Sequence, residues 1–500
     1  MSTAPLAVTH EDLALSELPP RCGAALAAGA RMQFMYGWFP DGRETPELRY
    51  VLHPARGRPP HVWRCQPRGQ PPPSLAPSAP LLSWYERETT DLCGIDFSGQ
   101  PLPQPLVLLP GAVAERPPLM PGPAAGLRYV PAPQPLPELA GGAPQDVQLL
   151  PFGPVRADVL ESTQLAFLYI GEAILHYYPQ LFFKHRGMEK RFEGMSPSLG
   201  TVLAERVSGV GSVAHSLAYC QALEAAAGCD VPSRGAALRV LLAELERLYN
   251  HLHFLGYLCH TTTLKVGEAQ GKYLEELAKQ VNCRVSGSRL LRGLIAPGGM
   301  RREPVLARLA ADLAHIEGEF QRYADLLSST NSHRDRLITT GMLGQQLAFD
   351  QGATGPVERA SGVDRDSRRD QPYGAYGELP LRVAVQEGCD AHARQQVRID
   401  EIVGSISLIR AVLEGLPDGP LLADCQLRPG SEGLGWAETP RGTAYYAIHI
   451  DADGRLARVK IKSPSFSNWR VFPYTVHDTN MMDYAINEAS FGLTVAGCDR

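Results

Sequence analysis

The chain has 500 residues, of which 44% are hydrophobic and 20% are charged. This composition is typical of a globular protein with two or more domains, and it excludes the disordered, collagenous and wholly membrane-embedded classes. The 48 basic and 53 acidic residues give a formal net charge of -5. Because no basic block could neutralise a run of phosphates, we do not expect a nucleic acid partner.

Proline marks the first boundary along the chain, since residues 1–150 hold 27 of the 43 prolines. Two stretches are too rich in proline for a helix or a central strand, namely Gln66–Pro80 and Pro101–Pro144. Two strand-like segments flank them, namely Arg31–Phe39 and Leu48–Leu52. This pattern predicts a small α+β domain over residues 1–110 and a proline-rich linker over residues 111–146.

From residue 147 to residue 500 the hydrophobic pattern becomes helical. In Arg234–Leu255, leucines recur at spacings of three and four with charged residues between them, which predicts an amphipathic helix packed in a core. Further helices are predicted near Ser162–Tyr178, Gly271–Gly293, Val305–Ser328 and Asp390–Leu413. An Asp/Gly turn within residues 443–462 predicts a late β-hairpin. We therefore expect an α+β fold, with a small N-terminal α+β domain followed by a large, mainly helical domain.

The cysteines and the N-terminus indicate the cellular compartment. The ten cysteines are scattered and no two form a CxxC pair, which favours reduced thiols over a metal site. The N-terminus lacks the basic and apolar regions of a signal peptide, and no stretch of about 18 apolar residues occurs. We expect a cytoplasmic chain that is neither secreted nor membrane-spanning, although it could dock on a membrane complex.

Two isolated motifs carry little weight. Residues Gly209–Ala214 fit a GxGxxA dinucleotide fingerprint, but two charged residues precede the motif where a buried strand should end. His251 and His253 are two apart on a predicted helix and point away from each other. This spacing favours structural or surface histidines over a zinc site.

Charged residues beside glycine or proline recur through the helical part, at 184–190, 205–206, 359–362, 390–398 and 438–442. Such clusters often line a cavity in which burial tunes proton affinity. The alternative is a set of exposed loops with ordinary ion pairs. The residue pattern by itself leaves both interpretations open.

Taken in this order, these segments resemble one family: the large subunit of complex-I-related NiFe hydrogenases of the formate hydrogenlyase type, and the D-type subunit of NADH-quinone oxidoreductase. The matching stretches are LPFGPV at 150–155, FKHRGMEK at 183–190, ERVSGVGSVAHS at 205–216, ELERLYNHL at 244–252, GPVERASGVDRDSRRDQPY at 355–373, GCDAHARQQVRIDEI at 388–402, ETPRG at 438–442, KIKSPSF at 460–466 and the terminal CDR. Upstream, Ser83–Phe97 resembles the signature of the C-type subunit. The resemblance therefore implies a fusion of C-type and D-type subunits.

The chain departs from this family at the metal site. The resemblance implies a nickel–iron centre held by four cysteine thiolates, the soft ligands that such a centre requires. The corresponding positions here are Ser208, Gly211, Thr494 and Gly497. Cys498 lies one position beyond the last of them, and we interpret it as an ordinary thiol. We expect no nickel and no directly bound cofactor, and we expect that a chain ending at Arg500 lacks the extension removed when hydrogenases mature.

The quinone site implied by the D-type subunit is altered as well. Its GPxHP loop contributes a histidine where this chain has Arg156, and its expected tyrosine aligns near Pro197. A conventional ubiquinone headgroup site is therefore not expected. An arginine can still bind an anionic or carbonyl-bearing ligand, and its charge changes nearby proton equilibria.

By the same resemblance, the chain keeps a cavity framework without its metal. The framework residues are His185, Arg186 and Glu189 in a loop beside the lost site, Arg206 and His215 in its first wall, and Arg441 in the loop above it. A charged axis leading toward membrane subunits would comprise Asp390, Arg394 and Glu401. We hypothesise that Glu161 and Glu189 pass protons. We also hypothesise that Asp390 and Arg394 sense redox change through their paired charges.

The resemblance implies an oxidoreductase subunit of a membrane-associated complex that couples electron transfer to ion translocation. We expect 4Fe4S clusters in a B-type iron-sulfur partner, because this chain lacks the clustered cysteines that they need. Antiporter-like membrane subunits are the other expected partners, at the inner face of the cytoplasmic membrane, and NAD is expected on a distant subunit. The alternative is a redox-inactive scaffold, which would not need the charged residues retained at 185–215 and 390–441.

Overall fold

The described part of the chain begins with a four-stranded sheet and two helices. The computed structural model describes residues 7–40, 45–122, 126–130, 146–155, 161–477 and 479–500. The first elements are β1 (Thr9–Asp12), α1 (Leu18–Ala27), β2 (Arg31–Trp38), β3 (Glu47–His53), β4 (His61–Cys65) and α2 (Ser83–Cys93). The strand order is β1-β4-β3-β2, with β1 parallel to β4 and the other neighbours antiparallel. The predicted strands at 31–39 and 48–52 are confirmed as β2 and β3.

Strand β2 lies at an edge of this sheet, yet nearly all of its residues are buried. Helix α2 packs against it, and the large domain covers it as well. The ring of Phe34 lies 5.5 Å from that of Tyr445, and the Tyr36 hydroxyl hydrogen-bonds with His449 at 3.0 Å. The two domains therefore share a packed interface, which protects the strand edge from pairing with another chain.

The segment predicted as a helix at Ser162–Tyr178 is a β-hairpin instead. The strands from residue 112 to residue 180 are β5 (Ala112–Ala114), β6 (Leu127–Tyr129), β7 (Gln148–Phe152), β8 (Gln164–Ile170) and β9 (Ala173–Gln180). Strands β8 and β9 pair antiparallel around Gly171, whose φ of +58° favours glycine. The helix prediction was wrong because an apolar run of this kind suits either structure, and the turn at Gly171 decides for strands.

The middle of the chain is mainly helical. Its elements are α3 (Met188–Phe192), α4 (Pro197–Ala204), α5 (Ser212–Ala227), α6 (Ser233–Thr261), α7 (Lys265–Ser286), β10 (Ile295–Ala296), β11 (Gly299–Met300), α8 (Leu309–Ser329), α9 (Asn331–Leu337), α10 (Gln345–Asp350), α11 (Pro356–Arg359), α12 (Ser367–Asp370) and α13 (Ala391–Glu414). The helices predicted at 234–255, 271–293, 305–328 and 390–413 are confirmed as α6, α7, α8 and α13. Helix α6 packs against both α7 and α13 and forms the centre of the domain.

A late antiparallel sheet completes the core. The last elements are β12 (Glu432–Thr439), β13 (Gly442–Ile450), β14 (Leu456–Lys462), α14 (Pro464–Val471), β15 (Thr479–Asn480), α15 (Tyr484–Phe491) and α16 (Val495–Asp499). The predicted hairpin is confirmed as β13 and β14, and β12 adds a third strand. A β-carbon at Gly435 would lie 2.2 Å from the carbonyl oxygen of Ala218, so glycine lets α5 lie directly on β12. Within the described residues, no helix is long and apolar enough to cross a membrane.

Candidate functional site

Four segments that the resemblance assigns to one cavity meet in the structure. We call this place the loop junction, and it comprises residues 184–189, 206–211, 441–442 and 492–500. The guanidinium of Arg186 donates hydrogen bonds to three carbonyl oxygens across it. These belong to Arg206 at 3.1 Å, Val207 at 2.6 Å and Ala496 at 3.0 Å. One side chain therefore ties the first segment to two of the others.

Glu161 and Arg441 also connect segments at the loop junction through hydrogen bonds. The Glu161 carboxylate accepts hydrogen bonds from the backbone N–H groups of residues 495 and 496 at 2.5 Å and 3.0 Å. The Arg441 guanidinium donates to the Gly492 carbonyl oxygen at 2.7 Å and to Asn250 Oδ1 at 2.8 Å. Both side chains therefore bind backbone groups of segment 492–500, which contains the lost ligand positions Thr494 and Gly497.

Hydroxyl groups and glycine backbone occupy the lost ligand positions. Thr494 Oγ1 accepts a hydrogen bond from the Gly497 N–H at 3.3 Å and hydrogen-bonds with the Ser465 hydroxyl at 3.0 Å. A β-carbon at Gly497 would lie 2.5 Å from Thr494 Oγ1, so cysteine cannot enter that position without a shift. On the opposite side, the Ser208 carbonyl oxygen accepts the Gly211 N–H at 3.1 Å.

These residues do not fit a nickel–iron centre, which needs converging thiolates. The adjacent Cys498 is fully buried, and burial raises the pKa of its thiol well above the usual value. The thiol is therefore protonated at neutral pH and supplies no thiolate. Across the described ranges, no group of three or more His, Cys, Asp and Glu side chains is arranged to hold a metal ion.

Asp499 is a titratable group of the loop junction that the sequence analysis did not single out. Its carboxylate accepts the Lys184 N–H at 3.0 Å, and burial raises its pKa to about 7. His185 donates from Nδ1 to the Asp499 carbonyl oxygen at 2.6 Å, and burial lowers the pKa of this histidine. Asp499 can therefore exchange a proton near neutral pH beside a neutral imidazole. Its place in the matched CDR was the only signal in the sequence.

Glu189 lies among buried cations rather than facing an open cavity. Its carboxylate pairs with Arg458 at 2.7 Å, Lys460 at 3.1 Å and Arg500 at 3.3 Å. Glu88 of α2 pairs with Lys460 and Arg500, both at 2.6 Å. We call these five residues the interdomain charge cluster. Although burial alone would raise the pKa of Glu189, the three cations hold it well below its usual range. This geometry does not favour the hypothesis that Glu189 passes protons.

Arg206 and His215 border the lost ligand positions in different ways. The Arg206 side chain is 49% exposed and donates to the Val202 carbonyl oxygen at 2.6 Å. His215 is buried, lies close to where a β-carbon of Gly211 would stand, and hydrogen-bonds with the Tyr446 hydroxyl at 3.0 Å. Burial lowers the pKa of His215 to about 4, so its imidazole is neutral.

The first backbone N–H groups of α5 bind a carboxylate of the same chain. The backbone N–H groups of Val213 and Ala214 donate to Glu246 at 2.7 Å and 3.0 Å. Burial raises the pKa of Glu246 to about 7. The segment at 209–214 follows α4 and a turn, whereas a dinucleotide fingerprint follows a strand. The strand that a dinucleotide fingerprint requires does not precede this segment, and Glu246 becomes a second group that titrates near neutral pH.

Asp390 and Arg394 do not form the ion pair on which the redox-sensing hypothesis rests. The Asp390 carboxylate accepts the N–H groups of Thr339 and Ala393, both at 2.8 Å, and so caps α13. Arg394 donates to the Ser490 hydroxyl at 2.9 Å, and burial lowers its pKa to about 9. The structure supports separate anchoring roles for the two side chains, with only a longer-range attraction between them.

The charged axis continues inward as a network that we call the charged core. Its members are Glu244, Arg247, His251, Arg359, Asp366, Arg368, Glu401 and Glu438, all buried. Glu401 pairs with Arg359 and, at 3.2 Å, with Arg247, and it accepts a hydrogen bond from His251 at 2.6 Å. Burial lowers the pKa of His251 to about 4. With that histidine neutral, three arginines face four carboxylates, so the core carries one excess negative charge.

The two altered quinone-site positions of the sequence analysis are Arg156 and Pro197. Arg156 lies outside the described residues. The preceding residue, Val155, is described, and it is 89% exposed. Pro197 is the first residue of α4, where its fixed φ suits a helix start.

Comparisons with known proteins agree with this architecture. Residues 274–432 and 426–500 match the family described as respiratory-chain NADH dehydrogenase, 49 Kd subunit. Residues 40–121 match the corresponding 30 Kd subunit family, and residues 186–287 match the nickel-dependent hydrogenase family. The predicted fusion of C-type and D-type sequences is thereby confirmed, because the 30 Kd and 49 Kd matches occur in one chain.

Two curated relatives and one solved structure define the relationship. Formate hydrogenlyase subunit 5 of Escherichia coli (strain K12) is 33% identical over 82% of this chain and 74% of the relative. The D-type subunit of NADH-quinone oxidoreductase from Geotalea uraniireducens (strain Rf4) is 30% identical over 72% of this chain and 100% of the relative. A chain of an archaeal respiratory membrane complex, the membrane-bound sulfane sulfur reductase, shares the fold with a TM-score of 0.67 at 24% identity, covering 71% of this chain and 99% of its own.

The fold and the loop junction define an oxidoreductase subunit of the complex-I-related class. The chain belongs to the family of large subunits that contains formate hydrogenlyase subunit 5 and the D-type subunit of NADH-quinone oxidoreductase. It has hydroxyl groups and glycines at the four positions where the resemblance places the thiolate ligands of a nickel–iron centre.

Proposed function

We propose that this chain is the large subunit of a membrane-associated, energy-converting redox complex that works without a nickel–iron centre. An iron-sulfur partner of the B type would supply electrons through its 4Fe4S clusters, and antiporter-like membrane subunits would move ions. The chain would sit peripherally on the inner face of the cytoplasmic membrane. It would bind no cofactor directly, and neither a conventional quinone site nor nucleic acid binding forms part of the proposal.

The observation that carries this proposal is a series of polar groups that extends from the loop junction to the charged core, and all of them except the partly buried Arg441 are buried. Arg441 and Glu246 lie at the junction end. Arg398 comes next, donating to the carbonyl oxygens of Ser490 at 3.2 Å and Phe491 at 3.0 Å. Glu401 lies one turn further along α13. Burying polar and charged groups lowers the stability of the fold unless they are paired. Their presence in this interior therefore favours a role in proton or charge transfer.

The metal part of the proposal is tested by elemental analysis of the assembled complex. We expect iron in the amounts that the partner's clusters require and no stoichiometric nickel. The reason is that serine, threonine and glycine offer none of the soft thiolates that nickel and iron need. Nickel at one equivalent per chain would overturn this part of the proposal.

The coupling part is tested by Glu401→Gln in the chromosomal copy. We expect a complex that still contains all subunits by mass spectrometry, but that builds up a much smaller ion gradient in inverted vesicles when reduced by a low-potential dye. The matched control is Glu317→Gln, which removes a carboxylate that is 43% exposed and paired with Arg410 on the protein surface. An unchanged gradient in an assembled Glu401→Gln complex would count against coupling.

The second candidate is a redox-inactive scaffold, and the interdomain charge cluster favours it. Glu88 and Glu189 satisfy three cations and join the two domains, which is a structural task. A scaffold predicts that the complex assembles but that neither Glu401→Gln nor Asp499→Asn alters electron transfer or ion movement. Recovery of the chain alone, without membrane partners, would contradict both candidates.

A further inference from the structure

A small cavity between the two domains lies apart from the loop junction. Its volume is about 40 Å³. The N-terminal domain contributes Arg31 and His53, and the large domain contributes Thr354, Tyr445 and Lys462. A buried water needs roughly 10–15 Å³ of such space. The cavity therefore has room for about three water-sized groups, which is the size of a small inorganic anion.

Lys462, at the end of β14, is the unusual group in this cavity. Its residue is only 3% exposed. Its ammonium lies 5.0 Å from the ring centroid of Tyr445, and it has no hydrogen bond or ion pair with any residue of the described ranges. Burial lowers its pKa to about 7. An unpaired buried ammonium is costly, so this position is stabilised when an anion neutralises it.

The carboxylates that line the cavity form ion pairs with cations other than Lys462. Glu358 pairs with Arg31, and Asp370 pairs with Arg369 at 2.8 Å. The remaining two are held in the charged core. They are Asp366, which pairs with Arg368 at 2.6 Å, and Glu438, which pairs with Arg359 at 3.1 Å. None of the four forms an ion pair with Lys462.

Two further cations on the lining lack a carboxylate partner within the described chain. Arg365 contacts the face of Phe349, with 6.0 Å between its guanidinium carbon and the ring centroid. Arg470 donates to backbone carbonyl oxygens, including that of Gln351 at 2.8 Å. The lining therefore presents three positive groups without paired carboxylates.

The other titratable groups of the lining carry no charge near neutral pH. They are His53, Tyr85 and Tyr445. Burial lowers the pKa of His53 well below its usual value and raises those of the two tyrosines. His53 hydrogen-bonds with the Tyr445 hydroxyl at 3.2 Å. None of these groups therefore supplies a negative charge that could pair with the three cations.

We propose that this interdomain cavity is a binding site for a small monovalent inorganic anion, of the size of chloride or nitrate, with Lys462 as its principal ligand. The site shares no residue with the loop junction, and its principal ligand, Lys462, belongs to neither the loop junction nor the charged core, although Asp366 and Glu438 of the charged core also line the cavity. A bound anion would also bridge the two domains, since residues of both line the cavity.

The direct test uses crystals of the full chain grown with sodium bromide. We expect an anomalous bromide peak within hydrogen-bonding distance of Lys462 Nζ. The peak should disappear in Lys462→Met and persist in Lys272→Met, which removes a lysine whose side chain is 68% exposed on α7. No peak in the cavity of the unaltered chain, or an undiminished peak in Lys462→Met, would overturn the proposal.

A second measurement keeps the test decisive if Lys462→Met does not fold. Nitrate binding to the unaltered chain is followed by calorimetry at constant ionic strength. We expect the affinity to fall on the order of tenfold between pH 7 and pH 8.5, because only the protonated lysine binds and its population falls over this range. An affinity independent of pH, or no measurable binding at pH 6.5, would contradict the proposal.

Discussion

Two carboxylates near the loop junction have opposite electrostatic surroundings and therefore suit opposite tasks. Glu189 is surrounded by Arg458, Lys460 and Arg500, so it stays ionised over the whole working range of pH. Asp499 is buried, and its pKa is raised to about 7. A group whose two protonation states are both populated near neutral pH is the better proton carrier. The surroundings of the two residues therefore favour Asp499 over Glu189 as the group that transfers protons.

We expect Glu189→Gln to lower the free energy of unfolding by about 3–5 kcal/mol, because removing one partner leaves buried cations uncompensated. The folded-state pKa of Glu189 is depressed. Its stabilisation is therefore fully present above the unfolded pKa of about 4.3 and is lost as the pH falls through the lower folded value. Urea unfolding of both chains at pH 7 measures this difference, and thermal unfolding from about pH 5 down to about pH 2 follows its loss.

The control for Glu189→Gln is Glu276→Gln, which removes a surface carboxylate paired with Arg289. We expect little change in its unfolding midpoint, because exposed ion pairs contribute little. If Glu189→Gln unfolded at the same urea concentration as the unaltered chain, the cluster would not be a stabilising feature.

Asp499→Asn should show the opposite dependence on pH. The folded-state pKa of Asp499 is raised from 3.8 to about 7, so the folded state favours the protonated form, and stability is lost as the pH rises through that interval. Asparagine keeps an acceptor for the Lys184 N–H without the buried charge. We expect Asp499→Asn to raise Tm at pH 8 relative to the unaltered chain and to change it little at pH 4. The exposed Asp453→Asn serves as the control, and an equal effect of both variants would contradict this account.

At the scale of elements, α6 and α7 approach each other closely where Gly256 faces Gly271. A β-carbon on Gly271 would stand 2.4 Å from the Cα of Gly256. We expect Gly271→Ala to lower the free energy of unfolding by about 1–3 kcal/mol, because the helices must separate to accept the methyl group. Gly318 of α8 has open space at the same atom, so Gly318→Ala should instead raise stability by about 0.5–1 kcal/mol through helix propensity. Denaturant titrations of both variants test the pair, and equal signs would contradict the packing argument.

The elements that the sequence predicted best are those with a single dominant periodicity. The spacing of the leucines at 234–255 places them all on one face of a helix. The structure confirms this, because α6 includes the whole segment and buries these leucines. The apolar residues at 162–178 follow no clear period, so the pattern did not distinguish helix from strand. The turn at Gly171 makes the segment a β-hairpin. Lys462 was visible in the KIKSPSF match. Its lack of a partner depends on where four distant carboxylates lie, which spacing along the chain cannot convey.

At the scale of the whole molecule, contacts between the two domains are polar as well as apolar. Arg31 pairs with Glu358, and Glu88 pairs with Lys460 and Arg500. Residues so far apart in sequence gave no local signal that they would meet. The family resemblance placed Glu189 near the lost metal site, but the cations that it shares with Glu88 of the N-terminal domain emerged only from the fold. The structure therefore adds a structural task to residues that the sequence analysis assigned to chemistry.

This interface predicts that the two parts associate without a covalent connection. We expect residues 1–130 and 146–500, co-expressed as separate polypeptides, to purify as a one-to-one complex, because buried ion pairs and the contact between Phe34 and Tyr445 hold them together. The double substitution Arg31→Ala with Glu88→Ala should weaken the complex at least a hundredfold. The first change leaves the buried Glu358 without its cation, and the second leaves three buried cations with Glu189 as their one carboxylate within the interdomain charge cluster. Arg21→Ala, which removes an exposed pair with Glu11 inside the N-terminal domain, is the matched control. Size-exclusion chromatography with light scattering measures the outcome, and two folded fragments that elute separately would show that the linker, rather than this interface, holds the domains together.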